Sequence, residues 1–338
     1  MKTITSSLLC ATAICAGPAA LAAQETQRFT WEGTIELGYD SAYDSDVPGA
    51  EVSDTYATID FSAEYRFSDR VSAFAAITAE SVRPLVQDRT FDDMGAYISE
   101  MGLRFHFDPV VISLGKVAPA FGTAWDATPG FYGTSIAEDY EMFEAIGTTV
   151  DVDLAEAGTL SLAVFYADDT RLSDSFGARR GRTIVTAGGA GNTGKLNNIA
   201  LQWSKSFDAT TVTLGARHLK AGQGDVKDET GYVAAVSHDF ANGVSLLGEV
   251  AHFDGFGGTA DDADYATLGA SYGMGNWTYS ASYTQRDITS TGKDKFYTLG
   301  LDYTFKNDIT LSGGLALLDE SGAKTRSAGV AVIIPLGG

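Results

Sequence analysis

Over most of its length this chain alternates, residue by residue, between apolar and small or polar side chains. Tyr297, Leu299, Leu301, Tyr303 and Phe305 interleave with Thr298, Gly300, Asp302 and Thr304. Ala57, Ile59, Phe61, Ala63, Tyr65 and Phe67 interleave with Thr58, Asp60, Ser62, Glu64 and Arg66. A period of two means a strand whose faces meet different surroundings. About sixteen such segments can be read: 29–42, 54–67, 71–82, 93–107, 110–118, 145–154, 159–168, 196–207, 211–220, 229–240, 244–255, 263–274, 277–287, 294–305, 309–318 and 326–336. The pattern predicts an all-β fold, a transmembrane antiparallel barrel of about 16 strands that encloses water.

The connections support this. Tight reversals rich in Asp, Asn, Gly and Pro fall at 68–70, 108–109, 155–158, 208–210, 241–243, 275–276 and 306–308. Between them lie the longer connections 43–53, 83–92, 119–144, 169–195, 221–228, 256–262, 288–293 and 319–325. Short turns on the periplasmic side and long loops outside are the habit of outer-membrane barrels. Rings gather at the tight-turn level: Tyr65, Phe67, Phe105, Phe107, Phe207, Phe240, Tyr303 and Phe305, with Trp203, Tyr272 and Trp277 nearby. Aromatic side chains favour the membrane interface, so these are the expected girdle.

Residues 1–22 read as a signal peptide: Lys2, the apolar run Leu8–Ala16, and the small-residue site Ala20-Leu21-Ala22. Cys10 and Cys15 both lie within it, so no disulfide is expected in the barrel, 23–338. Export with β patterning, and no later apolar run of spanning-helix length, points to the outer membrane of a Gram-negative bacterium. A net charge of −21 argues against nucleic-acid partners and for cations held near the protein.

The stretch Leu114-Gly115-Lys116, Pro119-Ala120-Phe121-Gly122, Ala124-Trp125-Asp126, Pro129-Gly130, Tyr132-Gly133 and Glu138-Asp139-Tyr140-Glu141 resembles the Gram-negative general porins. In that family the matching strand end leads into a long third loop, which folds into the lumen and narrows it. The resemblance implies that 119–144 is the constriction loop. It also implies a 16-stranded homotrimer in outer-membrane lipid and lipopolysaccharide, passing small hydrophilic solutes by diffusion. One departure is the C-terminal end, Ile334-Pro335-Leu336-Gly337-Gly338, where the family usually has a terminal phenylalanine used in assembly.

Strand register gives the lining. The lumen acids are Glu32, Glu36, Asp60, Glu64, Glu80, Glu100, Asp151, Asp153, Asp239, Glu249 and Asp302; the bases are Arg66, Arg104, Arg217 and Arg286. The inserted loop adds Asp126, Glu138, Asp139, Glu141 and Glu144, with no Lys or Arg. The constriction is therefore expected from Asp126, Glu138, Asp139, Glu141, Glu144, Asp60, Glu64 and Glu80, opposed by Arg66, Arg104 and Lys116. Carboxylate rings lower the barrier for cations, giving a weakly cation-selective pore. Alternation past Leu114 points Lys116 outward; a bulge at the strand end turns it inward, as the family resemblance implies.

Other features compete. Asp40, Asp44 and Asp46 are a weak candidate Ca²⁺ cluster without the EF-hand pattern; no other cofactor is expected. Loop 169–195 is a candidate plug, or its Arg171, Arg179, Arg180 and Arg182 a latch for a neighbour or for lipopolysaccharide phosphates. Trp125, Phe131, Tyr132 and Tyr140 either line a sugar track in a substrate-selective channel or pin the loop to the wall. The strands bearing Val71, Ala73, Ala75, Ile77 and Ala79, and Ile309, Leu311, Gly313, Leu315 and Leu317, lack aromatics and suit subunit contact. The run 189–195 resembles a phosphate loop, but Leu196 stands where Ser or Thr is needed and a strand follows. Ser237, His238 and Asp239 alternate across the wall and cannot form a triad, so no enzyme is expected.

Overall fold

The computed structural model describes residues 28–142 and 144–337. The expected leader, residues 1–22, lies outside them. Among the described residues there are eighteen strands, two of which are two-residue additions inside loops, Arg89–Thr90 and Phe176–Gly177. The other sixteen, in chain order, are β1 (Phe29–Ser45), β2 (Ser53–Ser68), β3 (Val71–Ser81), β4 (Met94–Phe107), β5 (Val110–Val117), β6 (Ala145–Asp153), β7 (Thr159–Ala167) and β8 (Asn198–Phe207). They continue as β9 (Thr210–Leu219), β10 (Glu229–Asp239), β11 (Val244–Asp254), β12 (Ala263–Met274), β13 (Trp277–Ile288), β14 (Gly292–Thr304), β15 (Thr310–Glu320) and β16 (Ala323–Gly337).

Each strand pairs antiparallel with its sequence neighbour, and β1 pairs with β16 through Ile35↔Ile334 and Leu37↔Val332, closing the barrel. Closure leaves no free sheet edge, which lipid requires. Two expectations about connections fail. The links 288–293 and 319–325 are tight hairpins, because β13–β14 pair as far as Ile288↔Gly292 and β15–β16 as far as Glu320↔Ala323. Polar side chains at these strand ends, such as Lys293 pairing with Asp287, were readable as loop but extend the ladder.

The period-two faces fall as expected. Leu37, Ile59, Ile77, Leu103, Leu268, Leu299 and Leu315 are exposed on the outside, while Thr58, Thr78, Thr267, Thr284 and Thr298 are buried on the inside. Girdle rings Tyr65, Phe67, Phe107, Phe207, Phe240, Tyr272, Trp277 and Phe305 are exposed at the tight-turn level. Several stack there: Tyr65 on Phe67 at 5.2 Å and Tyr303 on Phe305 at 4.8 Å between ring centroids. The short strands β3 and β5 leave gaps on the long-loop rim. Asp54 and Thr55 of β2 pair with Arg89 and Thr90, and Gly95 and Ala96 of β4 with Gly177 and Phe176, so loops complete the wall.

The barrel is not simply hollow. Phe121, Phe131, Tyr132, Ile136, Tyr140 and Met142 of the 119–144 segment form one buried cluster with Phe253, Tyr265, Phe296, Leu318 and Ala331 of the wall. Part of the lumen is thus a packed core, and the water path is what the loop leaves open.

Candidate pore constriction

The loop begins where β5 fails. Gly115 has φ +139°, and a Cβ there would lie 2.3 Å from the Met101 carbonyl oxygen, so the alternation breaks at a residue only glycine fits. Beyond the break Lys116 is buried, its Nζ 2.6 Å from Glu144 Oε2 and 2.8 Å from Asp168 Oδ2, and it donates to the Leu172 carbonyl at 3.0 Å. The loop then contains one helical turn, Ala124–Ala127, and a 3-10 turn, Ala137–Tyr140.

Its path across the lumen is fixed by side chains of β1 and β9–β16. Glu249 of β11 accepts from Thr123 N at 2.6 Å, Thr123 Oγ1 at 2.9 Å and Tyr140 Oη at 2.6 Å. Asp139 accepts from Arg286 at 2.6 Å and from Tyr265 Oη at 2.9 Å. Tyr132 donates to Asp40. Room for the loop comes from small wall residues. A Cβ on Gly329 would stand 2.3 Å from the Phe131 ring, and one on Gly314 2.7 Å from Phe131 Cβ. Phe131, Tyr132 and Tyr140 are therefore wall anchors rather than a sugar track, and Trp125 Nε1 bonds back to the Phe121 carbonyl at 3.0 Å.

These contacts sort the expected site residues. Asp139 and Glu249 hold the loop against the wall. Arg217, expected on the pore wall, is buried instead. It pairs with Glu229 at 2.7 Å, donates to the Tyr140 carbonyl at 2.6 Å, and lies 4.7 and 4.6 Å from the Phe121 and Phe253 ring centres. Its charge is spent on positioning the loop, because a buried guanidinium must be paired and hydrogen-bonded. Glu144 likewise is neutralised, by Lys116 and by Arg180, whose Nη1 lies 2.7 Å from Glu144 Oε1.

Asp126, Glu138 and Glu141 have no cationic partner among the described residues. Glu138 accepts only from Thr134 Oγ1 at 2.7 Å among the described side chains. Glu141 feels the charges of Asp126, Glu144 and Glu80, and Glu138 those of Glu141, Asp139 and Glu80. On the facing wall Asp60 accepts from Thr78 at 2.7 Å and Glu80 from Tyr97 at 2.7 Å, both neutral donors. The expected counter-cations do not oppose this group freely. Arg104 is bound to Glu64, and Arg66 lies 3.8 Å from the same carboxylate near the tight-turn end.

The rival features resolve into local roles. Asp40, Asp44 and Asp46 go to separate partners, Tyr132, Arg326 and the Lys324 amide, so the structure does not gather them into a cation site. No group of three or more potential metal ligands occurs among the described residues. Arg179 pairs with Asp174, Arg180 with Glu144, and Arg182 donates to the Asp169 carbonyl, so three arginines of the expected latch bond within the chain. Gly189 of the phosphate-loop lookalike donates to the Asp225 carboxylate, an anion already in place. Ser72, His106 and Glu64 meet, but both Ser72 Oγ, at 3.1 Å, and Glu64 Oε1, at 3.5 Å, face His106 Nε2. A relay needs the two ring nitrogens on different partners, so this is no triad. What sequence missed is the pairing of Arg180 with Glu144; only its membership of an arginine cluster marked it.

Comparison with known proteins agrees with the geometry. Among the solved structures that share the fold are a variant of the porin of Rhodopseudomonas blastica with five substitutions (TM-score 0.61, 16% identity) and a triple variant of that porin (TM-score 0.58, 17% identity). Each likeness covers 91% of this chain and 100% of the other. At such identity the likeness speaks for the fold alone. No curated protein matches the sequence. The family model described as Gram-negative porin, however, matches residues 10–323. With a closed sixteen-strand barrel and a loop folded into its lumen, the chain belongs to the Gram-negative porin family, the non-enzymatic diffusion channels of the outer membrane.

Proposed function

We propose that this porin passes small hydrophilic solutes and ions passively and prefers cations. The observation that carries the preference is the unequal pairing at the constriction. Asp126, Glu138, Glu141, Asp60 and Glu80 have neutral donors or none, while Arg104, Lys116, Arg217 and Arg286 each hold a carboxylate. Negative charge along a narrow aqueous path, carried by these carboxyls once they ionise, raises the local concentration of cations and the barrier to anions. Homotrimer formation within outer-membrane lipid and lipopolysaccharide belongs to the same reading. Its support is the aromatic-poor outer surface of β3, β15 and β16, and the family resemblance.

The test is single-channel recording in a planar bilayer under a KCl gradient, using refolded protein. Ohmic steps with a reversal potential on the K⁺ side are expected. A reversal potential on the Cl⁻ side would mean that Arg66 and Arg104 dominate the path. Absence of conductance from folded barrels would overturn the diffusion reading.

A further inference from the structure

A bidentate ion pair joins the outgoing end of the constriction loop to the loop between β7 and β8. Arg180 reaches Glu144 with both terminal nitrogens, at 2.7 Å from Nη1, a fork-to-carboxylate geometry that a lysine cannot reproduce. Its Nε donates to the Ser173 carbonyl at 2.9 Å, and its backbone amide to Ser175 Oγ at 3.0 Å. The guanidinium carbon stands 3.7 Å over the ring of Tyr97, whose hydroxyl donates to Glu80. Phe176–Gly177 ties the same loop to β4. Arg180 is thus held from several sides at the edge of the acidic lining.

The local charges balance with Arg180 in place: Lys116 and Arg180 against Glu144 and Asp168. Without it, one negative charge is left over, beside Glu80 and Glu141, which both feel Glu144. We infer that Arg180 is a specificity-determining and positioning residue of the pore. It offsets acid charge at the constriction and clamps the outgoing end of the constriction loop through Glu144. An external loop therefore takes part in setting ion preference. The inference rests on the acid-lined pore reading above, but it is read from differences between variants and wild type.

The experiment records wild type, R180Q, R180K and E144Q in planar bilayers under a KCl gradient at neutral pH. Heat-modifiable gel mobility checks that each barrel is folded. R180Q is expected to raise the K⁺/Cl⁻ permeability ratio about two-fold, the effect of deleting one unit charge several ångströms from a watery ion path. Brief current sub-levels are also expected as the loop end loosens. R180K should restore the wild-type ratio yet keep the sub-levels, since its charge remains and its fork does not. E144Q should lower the ratio, because two cations then face one anion. A wild-type ratio and quiet current in R180Q, or a ratio in R180K as high as in R180Q, would overturn the inference. If wild type itself lacks cation preference, the acid-pore reading fails, while the shift between R180Q and wild type still decides the role of Arg180.

Discussion

Single carboxylates of the constriction loop differ in what they do, and their surroundings decide it. Burial pushes Glu138 up to about 8, with Glu141 and Asp139 adding like charge against the Thr134 hydrogen bond. Burial also raises Glu141 to about 7, with Asp126 and Glu144 adding to it, and Asp126 to about 6. A raised carboxyl is neutral below its pKa and negative above it. Cation preference should therefore be weak near pH 5 and grow through the window of about 6 to 8, seen as a drift of the KCl reversal potential toward the K⁺ side. A preference constant over that range would show that these acids do not border the ion path. Glu249 acts differently, as an anchor. E249A leaves the Tyr140 hydroxyl and the Thr123 amide unpaired, costing about 2–4 kcal/mol. Lower thermal stability together with larger, noisier conductance steps is the expected result.

At the scale of elements, the loop and the wall are fitted to one another. The wall strands β14–β16 are thin where the ring of Phe131 presses, since Gly314 and Gly329 leave no side chain to collide with it. Larger residues at these sites push the loop toward the water path. G329V should lower single-channel conductance while leaving the strand ladder intact; an unchanged conductance would show that the loop does not set the narrowest section. The loop's two ends are fixed by different devices, Glu249 near Thr123 and the Lys116–Glu144–Arg180 cluster at the other. Both involve ion pairs or charge-assisted bonds in partly dry surroundings, where breaking one partner costs more than an exposed surface pair contributes.

The molecule as a whole is a sheet closed in lipid with its core off-centre. Outward positions such as Leu299, 60% exposed, face a solvent that tolerates no charge, while inward positions on the same strands face either water or the inserted loop. L299R, near the middle of β14, should cost about 2–4 kcal/mol in folding into bilayers, measured by urea titration of the reconstituted barrel. A neutral result would place β14 against a protein neighbour rather than lipid. The closing strand β16 completes the ladder with β1 up to Glu32↔Gly337, using the alternation of Val330, Val332 and Ile334. Closure thus draws on the whole register of β16.

Sequence alone determined the strand set, the closure and the inner and outer faces. Period-two alternation is local, and each residue's side of the wall follows from its neighbours; observed strand ends differ from the expected ones by at most three residues. It placed the loop folded into the lumen at 119–144 through resemblance, and put Asp60, Glu64, Glu80 and Arg104 on the inner face of the wall. It did not tell which charges stay free. Arg217 and Glu249 have lumen register, yet both are consumed by the loop, and Lys116 turns inward only because Gly115 breaks the strand. Arg180 comes to Glu144 from 36 residues away in sequence. Pairing of charges depends on the distances between segments remote in the chain, and only the tertiary structure sets those distances.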